Sequence, residues 1–182
     1  PQRAAIHWVR PQMAMLVSRL SHGLVPNRVR QELDEACRRN LLNQISYISE
    51  FFRIRDLLAS DGIRMLPFKG FWLAQEAYGN ISDRESLDVD VFVSEQDLGR
   101  IREIMLGAGY SEEHTFRKLS IEDIRKGWQE YNFDRVEEGR EVFHIEFHWG
   151  ICPPEYLMPV RLEDLSGQIT SGVFQGRELE VF

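Results

Sequence analysis

The chain has 182 residues, 43% of them apolar and 28% charged, with a formal net charge of −7. That length can bury a sizeable core in one domain plus a helical extension, and no run of residues reaches the roughly 18 apolar positions that a bilayer span requires. The acidic balance argues against coating nucleic acid, which wants a basic surface, but leaves room for a local basic pocket. Cys37 and Cys152 show neither CxxC nor zinc-type Cys/His spacing, and "PQRAAIHWVRPQMAMLVSRL" lacks the continuous apolar stretch and small-residue cleavage site of a secretory leader. A soluble, cytoplasmic protein in a reducing compartment is expected. The chain starts at Pro1 rather than at a methionine, which points to a processed or partial chain.

In chain order, Pro11 predicts the first turn of a short helix running to about Leu20, broken by "SHGLVPN". A longer helix follows. Asn27 is a candidate N-cap, and Val29, Leu33, Cys37, Leu41, Ile45, Ile48 and Phe52 draw one apolar stripe that ends near Asp61-Gly62. Residues 1–60 thus form an N-terminal helical region. "IRMLPFK" (63–69) then predicts a short strand and "GFWLAQEAYG" (70–79) a helix opening on a glycine. "LDVDVFV" (87–93) alternates as a strand, and "SEQDLGRIREIMLGAGY" (94–110) is an amphipathic helix with Ser94 as a candidate cap. "YNFDRVEEGREVFHIEFHW" predicts an antiparallel hairpin turning in "VEEGRE", and "SGVFQGRELEVF" (171–182) a second one turning at Gly176. The order of elements predicts an α/β or α+β core over residues 61–182.

Asp88 and Asp90 share one face of their strand while Leu87, Val89, Val91 and Val93 face the core, and their Cα atoms stand about 6–7 Å apart. Two buried carboxylates at that spacing are costly unless a positive charge meets them, and oxygen-rich sites of this kind suit Mg²⁺. In "EVFHIEFHW" (141–149) Phe143, Ile145, Phe147 and Trp149 form an apolar face, while His144, Glu146 and His148 form the other without a lysine or arginine among them. Were this strand to lie beside 87–93, Glu146 would join the two aspartates. Gly70 opens a helix directly after a strand, leaving the unpaired N–H groups of its first turn available to an anion, with Lys69 and Arg84 as further phosphate contacts.

In this order, Lys69-Gly70, a helix ending at Tyr78, Arg84 ahead of Asp88-Val89-Asp90-Val91-Phe92-Val93, "LGAGY" (106–110), and Ile145-Glu146-Phe147-His148-Trp149, the sequence resembles the polymerase-β-type nucleotidyltransferase superfamily. The resemblance is to its bacterial branch of uncharacterised members, over about residues 61–182. It implies a mixed sheet flanked by helices, Mg²⁺ (or Mn²⁺) on Asp88 and Asp90, Glu146 as the third carboxylate, and His148 orienting a carboxylate or touching the nucleotide. The implied reaction moves a nucleoside monophosphate from an NTP, ATP among the candidates, to an acceptor with release of pyrophosphate. The acceptor is expected to be a small molecule or a protein rather than nucleic acid, and the N-terminal helices could support a homodimer. Members of the branch commonly continue into a helical region beyond the position of Phe182.

Two rival readings stand beside it. Phe71 occupies the place where the wider superfamily has serine, which suggests a degenerate domain that binds a nucleotide or a partner without turnover. The other is a transition-metal hydrolase using His144, Glu146 and His148, since imidazoles suit zinc or iron. The H-x-E at 144–146 lacks a following P-C-x-x-C, because Cys152 is succeeded by Pro153-Pro154-Glu155.

Overall fold

Two short helices, α1 (Gln2–Ile6) and α2 (Arg10–Ser18), open the chain, and Pro11 sits in the first turn of α2, where its fixed φ and missing N–H are tolerated. The computed structural model describes residues 1–151 and 160–181, so Cys152, Pro153-Pro154-Glu155 and Phe182 lie outside the described residues. Contacts divide the chain into two units: residues 1–51 with 69–87, and residues 52–68 with 88–182.

The long helix α3 (Asn27–Ser60) contributes to both units. The N–H of Arg30 returns to the Pro26 carbonyl, so Asn27 lies one residue inside the helix rather than capping it. Gly62, at φ 77°, ends the chain's helical course as expected. Its buried face departs from the apolar stripe read in the sequence. Leu33, Ala36, Asn40, Gln44, Ile48 and Phe51 are buried, whereas Leu41 and Ile45 are exposed. The physical reason is a polar clamp. Asn40 Nδ2 donates to the carbonyls of Ser82 at 2.9 Å and Arg84 at 3.0 Å, while Gln44 Nε2 donates to the Ser86 carbonyl and hydroxyl at 3.3 and 3.1 Å. An amide at a buried position can hold loop carbonyls that no leucine could satisfy. In the same unit, α4 (Gly70–Tyr78) ends on Gly79 in the left-handed conformation, and Phe71 packs edge-on against Phe51 with ring centroids 5.1 Å apart.

The second unit carries strands β1 (Met65–Pro67), β2 (Val89–Val93), β3 (Ser111–Glu112), β4 (Glu130–Glu137) and β5 (Arg140–His148). Among the described residues these form a mixed sheet in the order β1-β2-β5-β4-β3, with β2 and β5 parallel and the other pairs antiparallel. Ser94 caps a 3₁₀ turn that leads into helix α5 (Leu98–Gly107), and α6 (Ile121–Gly127) starts on a Ser120/Asp123 capping box. Both predicted hairpins form. Glu138 and Gly139 turn β4 into β5 with φ of 50° and 76°, and Gln175-Gly176 turns β6 (Thr170–Phe174) into β7 (Arg177–Val181) with φ of 51° and 76°. The architecture is α+β, as expected.

One strand is shorter than its sequence pattern. β2 begins at Val89, and Leu87, read as core-facing, is 53% exposed. Pairing with β5 starts at Val89 opposite Ile145, so no ladder turns Leu87 inward.

Candidate metal centre

The register of three adjacent strands builds the site. Asp90 on β2 pairs with Glu146 on β5, and Glu146 pairs with Asn132 on β4, so these three stand in one row across the sheet. His148 faces Glu130 and His144 faces Asp134 in the neighbouring rows. Partners across a ladder share a face, and so do alternate residues along a strand; all seven side chains therefore lie on the same side. The other side is apolar, with Val89, Val91, Tyr131, Phe133, Phe143, Ile145 and Phe147 buried.

Asp90 and His148 are nearly dry, at 5% and 4% exposure. His148 Nε2 lies 3.1 Å from Asp90 Oδ1 and 3.2 Å from Glu146 Oε2, and its Nδ1 lies 3.6 Å from Glu130. Donor atoms of Asp90, Glu146 and His148 all fall within 4.8 Å of one another. Phe68 stacks on both His148 and Phe92, with centroids 5.1 and 5.2 Å apart, and walls this end of the site. On its other flank, Glu146 meets His144 Nε2 at 3.4 Å, while His144 Nδ1 is held 2.6 Å from Asp134. The hydrogen bond to Glu146 and the carboxylate of Asp134 push the His144 pKa up to about 9 against the opposing effect of burial.

Of the residues singled out in the sequence, the fold brings Asp90, Glu146 and His148 together. Asp88 is half-buried one position ahead of β2, and the converging donor group does not include it. Nor does that group include His144, whose Nδ1 is engaged by Asp134, so the set His144, Glu146, His148 is not the one whose donor atoms converge. Lys69, Gly70 and Arg84 belong to the first unit. There Lys69 is half-buried and precedes α4, Gly70 adopts φ 48°, a conformation open to glycine, and Arg84 Nη1 donates to the Gly70 carbonyl at 3.3 Å. Phe71, standing where the superfamily has serine, is a buried packing residue. The sequence reading passed over Asn132, Asp134 and Glu130. The alternation of "EYNFD" held the signal, since Tyr131 and Phe133 take the core face and leave the other three beside "HIEFH".

Two carboxylates converging on one spot, with an imidazole nitrogen between them, form a group that could hold a metal ion. The two carboxylates suit a hard divalent cation of the Mg²⁺ or Mn²⁺ kind, and the imidazole suits a transition-metal ion. The family model described as Uncharacterised nucleotidyltransferase matches residues 2–182. The chain belongs to this nucleotidyltransferase family. No curated protein and no solved structure matches it. Membership supports a nucleotidyl transfer role in general terms, and among the described residues Asp90, Glu146 and His148 form a group that could hold a metal ion. No helix among the described residues is long and apolar enough to cross a membrane.

Proposed function

We propose that the chain is a metal-dependent nucleotidyltransferase that moves a nucleoside monophosphate from an NTP to a hydroxyl or phosphate acceptor. The observation that carries this reading is the in-register pairing of Asp90 with Glu146, with His148 Nε2 within 3.2 Å of both. Mg²⁺ or Mn²⁺, once bound, supplies Lewis-acid charge at the α-phosphoryl group. Asp90 and Glu146 would hold it, with Asp88 as a further carboxylate. The acceptor oxygen attacks the α-phosphorus, the bond from that phosphorus to the β-phosphate bridge breaks, pyrophosphate leaves, and the acceptor's proton passes to Glu146. In the first unit, Lys69, Gly70 at the start of α4 and Arg84 are assigned to phosphate binding, by donated hydrogen bonds and positive charge. The hydrogen bond to Asp90, with Glu146 3.2 Å from the same nitrogen, would let His148 orient these carboxylates. Phe68 and Phe92 exclude water at that end, which favours transfer over hydrolysis.

The net charge of −7 favours a small-molecule or protein acceptor over nucleic acid, in a cytoplasmic setting. Exposed Leu16, Leu20 and Leu24 support a homodimer through the N-terminal helices, which light scattering of the purified chain would detect. The reaction is tested by following α-³²P label from each NTP, with Mg²⁺ or Mn²⁺, into the chain itself and into added small-molecule and protein fractions. Label transfer with stoichiometric pyrophosphate, lost in Asp90→Asn, is expected. Nucleotide binding without pyrophosphate release would instead support the binding-domain reading, which the phenylalanine at position 71 favours.

A further inference from the structure

Asn132 is 5% exposed, and its Oδ1 is buried without a hydrogen-bond partner. Its orientation is fixed. Nδ2 donates to Glu113 Oε2 at 3.0 Å, while Glu113 Oε1 accepts from the Thr115 hydroxyl at 3.3 Å and the Glu113 N–H donates to the Asn132 carbonyl at 3.0 Å. Flipping the amide would set two acceptor oxygens against each other, so the nitrogen must be the atom at Glu113. Nδ2 and Oδ1 leave Cγ in divergent directions. With the nitrogen turned towards Glu113, which follows β3 on one side of β4, the oxygen is turned towards β5 on the other. The residue paired with Asn132 on β5 is Glu146. An amide oxygen and a carboxylate, both acceptors, are thus neighbours in a buried row, and the amide oxygen lacks a donor.

We propose that Asn132 Oδ1 is an oxygen donor to the divalent cation held by Glu146, an inference that rests on the metal-dependent reading above. A hard cation, directly or through one of its water ligands, satisfies an acceptor that the protein leaves open, and amide oxygens are among its accepted ligands. Glu113 is then a positioning residue, since its hydrogen bond aims the oxygen. Asn132 also extends the donor set to a third strand, which places Glu146 between Asp90 and Asn132 rather than at the edge of the centre.

The test is Mn²⁺ binding, measured by the electron paramagnetic resonance signal of the free ion, on wild type, Asn132→Leu and Asn132→Asp, with thermal unfolding in EDTA and in Mn²⁺. Asn132→Leu should bind Mn²⁺ about tenfold more weakly while remaining folded in EDTA. Asn132→Asp should unfold earlier in EDTA, because it loses the bond to Glu113 and adds a like charge, yet bind Mn²⁺ more tightly and gain a larger thermal shift from it. Wild-type affinity in folded Asn132→Leu, or an Asn132→Asp variant whose Mn²⁺ shift is no larger than wild type's, would overturn the role of Asn132 and leave the metal centre standing. Absence of Mn²⁺ uptake by wild type, or uptake unaffected by Asp90→Asn with Glu146→Gln, would overturn both.

Discussion

Polar side chains are buried in two places that obey different rules. In the first unit, Asn40 and Gln44 are inside α3's packed face, and their amides are matched to the carbonyls of Ser82, Arg84 and Ser86, to the Ser86 hydroxyl and to each other. In the second unit, the row Asp90–Glu146–Asn132 sets acceptors beside acceptors, with His148 Nε2 shared by two carboxylates and Asn132 Oδ1 unmatched. Both places cost desolvation. The clamp recovers it within the protein, whereas under the proposed function a cation would recover it in the row. Burial of polar groups by itself therefore says little about function; what distinguishes the second place is that acceptors stand side by side there and the Asn132 oxygen has no donor.

That contrast can be broken by substitution. The largest effect expected is on chemistry: Asp90→Asn or Glu146→Gln should lower label transfer by about 10²–10³-fold, as loss of a transition-state electrostatic contact does. In EDTA, the same variants should melt no earlier than wild type, because a pair of converging carboxylates has been relieved. Next in size, Asn40→Leu should cost about 1–3 kcal/mol by stranding two buried carbonyls, a loss that urea titration would read equally with and without Mn²⁺. If Asp90→Asn in EDTA were as destabilising as Asn40→Leu, the carboxylate row would be an ordinary structural network.

A smaller effect concerns pH. The folded-state pKa of His144, pushed up to about 9, exceeds its ordinary value near 6.5, so in chelator-treated protein its contribution to stability is fully present below about pH 6.5. Between there and about pH 9 the folded state binds more protons than the unfolded one, and stability falls as pH rises. His144→Gln should flatten the melting temperature across that window. A slope unchanged in the variant would mean that Asp134 and Glu146 do not hold a charged imidazole.

Much of the sheet was legible in the sequence. The alternation of 87–93 and 141–149 gave the two strands and their polar faces, and glycines 139 and 176 marked both hairpins because their turns need positive φ. Adjacency of those strands, on which the meeting of Asp90 and Glu146 depends, was a conditional expectation that the parallel pairing of β2 with β5 fulfils. The face of α3 was misread because hydropathy assigns asparagine and glutamine to solvent, and nothing local reveals that loop carbonyls await them. Leu87 was misplaced because alternation is enforced by a ladder, and the ladder begins two residues later. Asn132 was invisible for a related reason: its partner is set by hairpin register, and its unpaired oxygen is a property of the folded row, not of "YNF".

The proposed metal-dependent nucleotide site rests on Asp90 and Glu146, with Asp88 as a further carboxylate. It is tested most directly by the melting temperature of wild type and of the Asp88→Asn/Asp90→Asn double variant with ATP, GTP, CTP and UTP, each with and without Mg²⁺ or Mn²⁺. Because a ligand that binds only the folded state raises that temperature by mass action, wild type should show a rise that needs both a metal and an NTP, and the double variant should lose it. A rise that persists in the double variant, or a well-folded wild type that responds to no combination of metal and nucleotide, would contradict the account.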